Sequence, residues 1–188
     1  EEVDPNIRVL NNFEDGAIDN WESWQTTATI AVIDNPVPDE TLNVSQKVAS
    51  LITTEEWGSF KKWYGDAGFA AKKPSTLSVL VYSSLATQIK LRMDNPINSA
   101  NEKPEYEEFK NVPANAWTLV EYDLTALEDY GYKQIAFQPE HIGTFYFDDI
   151  TLTNANLTST REIENKNESQ IFTSKNQITI GNCVGQSV

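Results

Sequence analysis

The feature that most constrains this chain is a run of strand-forming residues, 143–153, that carries two neighbouring carboxylates. Phe145 and Phe147 are apolar and favour a pleated strand. Asp148 and Asp149 lie inside the same run, although charged side chains are rarely buried and adjacent like charges repel each other. A bound cation would remove this cost, and Ca²⁺, which prefers carboxylate and carbonyl oxygens, is the simplest candidate. The run therefore predicts a strand beside a calcium site.

Short strand-like runs, separated by turn-forming residues, recur through the rest of the chain. The segment 55–64 is ambiguous, because Trp57, Phe60 and Tyr64 have a helical spacing that Gly58 and the surrounding strands disfavour. The pattern predicts an all-β fold, namely a two-sheet antiparallel β-sandwich of the jelly-roll type. The predicted strands lie within residues 9–13, 26–33, 43–54, 76–82, 88–93, 117–124, 134–138 and 143–153.

Residues 88–93 show the alternation expected of a strand that is buried on one side. Ile89, Leu91 and Met93 share one face, whereas Lys90 and Arg92 share the other. We therefore expect the two cations to lie on a face that points away from the core. Residues 94–103 are polar and predict a loop.

Net charge excludes several classes of partner. The 188 residues include 14 Lys and Arg against 28 Asp and Glu, a net charge of −14. A polyanion would be repelled, so we expect neither nucleic acid nor an anionic membrane surface as a partner. No apolar run approaches the roughly 20 residues that a bilayer span needs, and we expect no membrane insertion.

The composition changes after residue 153, which divides the chain. Residues 154–170 are rich in Asn, Ser, Thr and Glu and predict a linker. Two short strand signals follow at 171–172 and 177–181, too little to bury a core of their own. We therefore predict a jelly-roll domain over 1–157, and a linker with a short C-terminal β tail over 158–188.

Several short pieces, taken in order across residues 9–153, resemble a known group of proteins. The pieces are 12–16, 34–36, 42–48, Trp57, 89–92, Trp117 with 122–124, 135–137 and 144–150. Together they resemble the jelly-roll, galactose-binding-like carbohydrate-binding modules of secreted Bacteroidetes proteins, many of which are attached to glycoside hydrolases. The tail from 170 to 185 resembles the beginning of a type IX secretion sorting domain. The resemblance implies a protein that is secreted or held at the cell surface, with a tethered glycoside hydrolase as a partner.

The resemblance also implies a structural calcium ion. In such relatives the acidic turn after the first strand and an Asp of the last strand meet around the ion, and carbonyls of an Asn-x-Ser turn contribute. Carried over by position, the ligands would be Glu14, Asp149 and the turn from Asn43 to Lys47, with Asp148 or Asp15 as lesser contributors. Alternatively, these carboxylates are solvated edge charges that discourage aggregation.

Glycans bind where aromatic side chains meet pyranose faces and a few polar groups hold hydroxyls. The candidates come from the aromatic segment and from the polar faces of strands: Trp57, Trp63, Tyr64, Lys90, Arg92 and Gln138. The alternative is that the aromatic candidates fill the ends of the sandwich and the two cations are merely solvated. The remaining tryptophans are predicted to pack in the core or at its edge: Trp21, Trp24 and Trp117.

The sequence offers little for catalysis. Glycoside hydrolysis needs two carboxylates about 5–9.5 Å apart across a cleft, and acidic pairs adjacent in a strand point to opposite faces. We therefore predict a non-catalytic module that binds polysaccharide or oligosaccharide as an accessory to glycan degradation. The alternatives are a structural or adhesion spacer without a sugar site and, third, a stand-alone glycoside hydrolase.

Overall fold

The computed structural model describes residues 7–65, 74–96, 106–125, 132–154, 169–174 and 177–182. Within these ranges the chain forms thirteen β-strands and no α-helix. The strands are β1 (Ile7–Asn11), β2 (Trp21–Glu22), β3 (Thr29–Asp34), β4 (Lys47–Ile52), β5 (Phe60–Trp63), β6 (Pro74–Ser83), β7 (Thr87–Pro96), β8 (Tyr106–Val112), β9 (Ala116–Asp123), β10 (Tyr132–Pro139), β11 (Thr144–Asn154), β12 (Ser169–Ser174) and β13 (Gln177–Asn182).

The first eleven strands form two antiparallel sheets. The six-stranded sheet has the order β3-β4-β11-β6-β9, with β1 also paired to β11. The five-stranded sheet has the order β2-β5-β10-β7-β8. Each sheet turns its apolar face to the other, so the predicted all-β, two-sheet antiparallel β-sandwich is confirmed.

Aromatic rings from both sheets fill the core. Phe60 of β5 lies at its centre, with its ring centroid 4.4 Å from that of Trp21 and 4.9 Å from that of Phe147. Phe137 of β10 packs 6.0 Å from Phe147. The prediction that Trp21 belongs to the core is therefore correct. Trp117 is also buried, and its indole N–H donates to the carbonyl of Val37 at 2.6 Å.

Strand β11 is the central strand that the sequence predicted, and it changes partner half-way along. Its first residues pair with β4, whereas its later residues pair with β1. A bulge between Asp148 and Thr151 separates the two stretches. Asp149 lies in this bulge with a φ of 43°, and the irregularity turns the two neighbouring carboxylates into different surroundings.

The structure differs from the predicted strands in several places, and the two-residue strand β2 was not predicted. Strand β8 was not predicted, because an edge strand carrying three charged residues has a weak apolar signal. Strand β7 continues to Pro96, into the stretch predicted as a loop. The ambiguous aromatic segment contains the strand β5, so its helical spacing was a coincidence.

Contacts divide the chain into two units, Glu1–Leu157 and Thr158–Val188. In the second unit, β12 pairs antiparallel with β13, so that Ser169 faces Asn182. The two short strand signals of the tail lie within these strands. Across the described parts of both units, no helix has the length and apolarity that a membrane span requires.

Candidate functional site

The site is built on the face of the five-stranded sheet that points away from the core, which we call the outward face. Neighbouring residues across β5, β10, β7 and β8 share one side of this sheet. The row Lys62, Ile135, Met93 and Tyr106 lies on the core side, whereas the next row, Lys61, Ala136, Arg92 and Glu107, lies on the outward face. The strands thus bring together polar side chains that are distant in sequence.

Trp57, Lys90 and Phe109 form one aromatic cluster on the outward face. The Lys90 Nζ lies 5.1 Å from the centroid of the Trp57 ring and 5.8 Å from that of Phe109. The two rings meet edge to face, with centroids 5.7 Å apart. Phe109 is 47% exposed although it is a large apolar residue. Phe109 was not among the predicted site residues, because the strand that carries it was not predicted.

Trp57 has a left-handed backbone with a φ of 56°, which is strained for a bulky residue. Two contacts hold it there. The Gln138 Nε2 donates to the Trp57 carbonyl at 3.0 Å, and the Trp57 N–H donates to the carbonyl of Glu140 at 3.4 Å. A side chain at Gly58, the next residue, would overlap that of Thr53. Such strain in a surface aromatic points to a functional role.

Trp24 forms a second aromatic patch on the outward face. It is 42% exposed, and the Arg92 guanidinium and the Lys61 Nζ lie 5.5 Å and 5.7 Å from its ring centroid. Its backbone N–H donates to the Ser59 Oγ at 2.8 Å. Trp24 was predicted to pack in the core or at its edge; it lies outside the core, beside the edge strand β2 and against two cations of the outward face. Strand β2, just before it, has only two residues, too few to reveal a facing pattern.

Trp63 and Gln134 continue the outward face toward the end of the sheet. The register pairs Trp63 with Gln134 and Gln134 with Asp94. The Gln134 Nε2 donates to the Asp94 Oδ2 at 3.0 Å. Trp63 is 47% exposed, as a platform for a sugar ring must be.

Tyr64 is the one predicted sugar-binding residue that the structure places elsewhere. It follows Trp63, and its side chain packs against the core cluster. Burial raises the pKa of its phenol well above its ordinary value. Trp57 and Trp63 thus lie on the outward face, whereas Tyr64 does not.

Gln138 lies on the outward face but is almost completely buried. It is only 6% exposed, and its register partner on β7 is Lys90. Its Oε1 is enclosed and has no hydrogen-bond partner among the described residues. A buried acceptor without a partner costs roughly 1–3 kcal/mol. Because this oxygen is closed to solvent, the contact that the structure shows for the Gln138 side chain is the one to the Trp57 carbonyl.

Every cation on the outward face contacts a carboxylate. Lys61 pairs with Glu22 at the rim. The Lys90 Nζ lies 3.3 Å from the Glu107 Oε1. Arg92 holds Asp94 at 2.8 Å through its Nε and lies 3.7 Å from the same Glu107 oxygen through its Nη1. Because the opposite charges balance, the outward face is close to neutral in a chain whose net charge is −14.

The outward face ends in a cavity of about 630 Å³. Gln88 and Asn111 line it, and their side chains are hydrogen-bonded to each other at 3.0 Å. Glu140, which follows β10, also lines it, and its backbone N–H donates to the carbonyl of Gln88 at 3.0 Å. Aromatic rings, polar side chains and a cavity thus follow one another along a single face, an arrangement that suits an extended ligand rather than a compact one.

Two of the residues predicted to bind calcium lie close to each other. Burial raises the pKa of Asp149, and the charge of the neighbouring Glu14 carboxylate raises it further. The Glu14 Oε1 accepts a hydrogen bond from the backbone N–H of Lys47 at 3.2 Å. The side chain of Lys47 instead pairs with Asp34, again at 3.2 Å. These facts fit a hard cation between Glu14 and Asp149, because two carboxylates repel each other without one.

The Asn43 side chain forms hydrogen bonds within the protein. Its Nδ2 donates to the Asp148 Oδ2 at 3.0 Å, and its Oδ1 accepts the backbone N–H of Ser45 at 3.0 Å. Both polar groups are therefore engaged in holding the turn. Asp148 is fully buried, and desolvation raises its pKa to about 6 despite hydrogen bonds from Ser45, Asn43 and the Asp149 N–H. Within the described ranges, no three acidic, histidine or cysteine side chains gather as metal ligands, so backbone carbonyls or water would complete any calcium shell.

No protein-family model and no curated protein sequence matches the chain. Several solved structures, however, have a similar fold. The C-terminal family 22 carbohydrate-binding module of Clostridium thermocellum xylanase 10B matches at a TM-score of 0.58 with 15% identity, over 82% of this chain and 98% of that one. This chain has the fold of a carbohydrate-binding module.

Two further structures of Clostridium thermocellum agree. A family 22 module joined to the family 10 catalytic module of xylanase 10B, in complex with xylohexaose, matches at a TM-score of 0.57 with 19% identity, over 77% of this chain and 28% of that one. The family 11 module, in complex with a β-1,3-1,4-mixed-linked tetrasaccharide, matches at 0.53 with 16% identity, over 79% of this chain and 96% of that one. This chain thus spans little more than a quarter of the structure that includes a catalytic module.

Proposed function

We propose that this chain is a non-catalytic carbohydrate-binding module that holds a β-linked glycan along the outward face. The observation that carries the proposal is the gathering there of three exposed aromatic residues, Trp24, Trp63 and Phe109, together with the half-buried Trp57. They belong to segments far apart in the sequence, and the sheet brings them to one face. Core packing does not account for the three exposed rings, whereas stacking against pyranose rings does.

The glycans bound by structures of the same fold suggest the ligand class. Those structures hold xylohexaose and a β-1,3-1,4-mixed-linked tetrasaccharide, so we propose a xylan or a related β-glucan. Affinity electrophoresis in gels containing xylan, mixed-linkage glucan or cellulose derivatives tests this. We expect retardation by at least one of them. Migration unchanged in every gel would favour the alternative of a spacer or adhesion module without a sugar site.

We propose no catalysis by this chain. Among the described residues of the outward face, Glu22, Asp94 and Glu107 are each paired with a cation, and such pairing disfavours the protonated acid that glycoside hydrolysis needs. A glycoside hydrolase in the same protein, a location outside the cell or on its surface, a Bacteroidetes origin and a sorting function for the tail stay predictions from the sequence.

Trp24 provides a test that the sequence alone would not have suggested. Trp24→Ala removes an exposed ring and should lower glycan affinity about tenfold, since a well-placed aromatic anchor contributes on the order of 1–2 kcal/mol. Isothermal titration with the retained oligosaccharide measures this. Leu119→Ala is the matched control, because Leu119 is 49% exposed but belongs to the six-stranded sheet. Equal losses in both variants would remove Trp24 from the site.

We also propose that Glu14 and Asp149 hold a structural calcium ion, with backbone carbonyls of the turn that ends at Lys47 as further candidates. A cation that binds only the folded state stabilises it by mass action. Chelator should therefore lower the melting temperature of the wild type by several degrees, since about 1–3 kcal/mol is at stake.

Asp149→Ala should lower the melting temperature in calcium and abolish its response to chelator. Differential scanning calorimetry with and without chelator provides the readout. Asp34→Ala is the control, because Asp34 is an exposed acid that pairs only with the Lys47 side chain among the described residues. A wild type whose melting temperature ignores both calcium and chelator would refute the calcium proposal.

A further inference from the structure

We propose that Lys90 and Arg92 form a seat for a carboxylate of the bound glycan. The module would then bind a chain bearing uronic acid residues more tightly than the same chain without them. This inference rests on the proposed function, because it assigns a ligand class to the same outward face.

In this structure the Glu107 carboxylate itself occupies the seat between Lys90 and Arg92. A single oxygen, Oε1, serves both cations, at 3.3 Å from the Lys90 Nζ and 3.7 Å from the Arg92 Nη1. Charge-assisted hydrogen bonds between an N–H donor and a carboxylate are ordinarily about 2.7–2.9 Å long. The internal carboxylate is therefore held loosely, and a carboxylate free to choose its position could approach both cations more closely.

The second carboxylate near Arg92, that of Asp94, is held more firmly than that of Glu107. Asp94 is nearly buried, and Arg92 Nε and Gln134 Nε2 hold its two oxygens at 2.8 Å and 3.0 Å. Glu107 instead lies on β8, which is the edge strand of the five-stranded sheet. Its side chain is 37% exposed, so it can turn toward solvent without breaking the sheet. Only Glu107 is built to be displaced.

Aromatic rings flank the seat on both sides. Trp57 and Phe109 contact Lys90, and Trp24 contacts Arg92. The Lys90 side chain is only 13% exposed, and ionic contacts strengthen when water is partly excluded. Each of these rings has its centroid 5.1–5.8 Å from a cation of the seat. Ring stacking and charge pairing can therefore act on neighbouring parts of one glycan.

The rest of the chain opposes an acidic ligand, since its net charge is −14. That repulsion is long-range and is screened beyond about 10 Å at 0.1 M salt. The paired cations act at contact distance, where screening is weaker. Binding of an acidic glycan would therefore depend on its local contact with Lys90 and Arg92, and a substitution can remove that contact.

The experiment compares matched polysaccharides that differ only in charge. Glucuronoxylan and a β-1,4-linked polyglucuronate are each used before and after chemical reduction of their carboxyl groups to alcohols. Affinity electrophoresis in about 0.1 M salt, where the long-range repulsion is screened, gives the ratio of affinities for the acidic and reduced forms. We expect a ratio of about ten for at least one pair, since one added charged contact is worth roughly one decade. The ratio should fall toward one in 1 M NaCl.

Two variants test the seat itself. Glu107→Gln removes the internal competitor and should raise the acidic-to-reduced ratio at least threefold. Lys90→Gln should bring the ratio close to one, with its melting temperature checked to confirm folding. Equal affinity of the wild type for acidic and reduced forms, while both are retained, would overturn the seat and leave the proposed function intact. Failure to retain either form of any polysaccharide would overturn both.

Discussion

Trp57→Ala is expected to reduce glycan affinity about 30-fold, the largest loss among substitutions on the outward face. The ring contacts Lys90 and meets Phe109 edge to face, so it lies where two aromatic surfaces and a cation converge. Central aromatic anchors of this kind cost about 2 kcal/mol or more when truncated, and about 1.4 kcal/mol corresponds to tenfold in affinity. Isothermal titration with the retained oligosaccharide measures the loss.

The strained backbone of Trp57 supplies an internal control. Because its φ is 56°, alanine at this position remains strained, whereas glycine adopts such angles freely. Trp57→Gly should therefore lose binding as fully as Trp57→Ala while melting at a higher temperature. Tyr146→Ala, on the six-stranded sheet, should leave affinity within about twofold of wild type. A Trp57→Ala protein that is folded and binds normally would remove this residue from the site.

Phe60→Ala is expected to lower the free energy of unfolding by about 3–5 kcal/mol, the usual cost of deleting a buried aromatic ring. Phe60 is fully buried and stacks between Trp21 of the five-stranded sheet and Phe147 of the six-stranded sheet. Its loss would leave a cavity lined by rings from both sheets. Urea unfolding, monitored by tryptophan fluorescence, measures the change.

Trp63→Ala tests the same strand from its other face. Trp63 is three residues from Phe60 and points outward, so its replacement should cost less than about 1 kcal/mol. It should nevertheless weaken glycan binding. If both substitutions destabilised the protein equally, the strand assignment of β5 would be wrong and the helical spacing of this segment would need to be considered again.

The sequence predicted the facing of β7 correctly, because period-two alternation is a strong signal. Ile89, Leu91 and Met93 are fully buried, as expected. Lys90 and Arg92 lie on the outward face, beside Trp57 and Trp24. Alternation predicts which face of the sheet a residue occupies, but it does not predict which other strands contribute to that face. The convergence of the site was therefore available only from the sheet order.

Two aromatic residues of the site were missed for identifiable reasons. Phe109 belongs to an edge strand whose charged residues conceal its apolar alternation. Trp24 follows a strand of two residues, too short to carry a period. The opposite error affected Tyr64, which was grouped with Trp57 and Trp63 by composition although its side chain packs against the core.

The sequence predicted that the acidic turn at Glu14 and the last strand at Asp149 lie side by side. Glu14 and Asp149 lie close enough for the first carboxylate to raise the pKa of the second. Asn43 was assigned by its position in a motif, as part of a turn that supplies backbone carbonyls. Its carbonyl accepts the backbone N–H of Asp39 at 2.8 Å, and its amide is engaged with Asp148 and with the Ser45 N–H. A motif can locate a turn, whereas the partners of a side chain depend on the packing of that turn against another strand.

The most direct test of the central claim uses the indole N–H signals of the five tryptophans. ¹H–¹⁵N correlation spectra of the labelled protein are recorded during titration with xylohexaose, a mixed-linkage tetrasaccharide and uronate-bearing xylo-oligosaccharides. The signals of Trp24, Trp57 and Trp63 are expected to shift with at least one of these glycans, while that of Trp117 on the six-stranded sheet stays in place. A shift of Trp117 with the other three unchanged, or no shift with any glycan, would contradict this expectation.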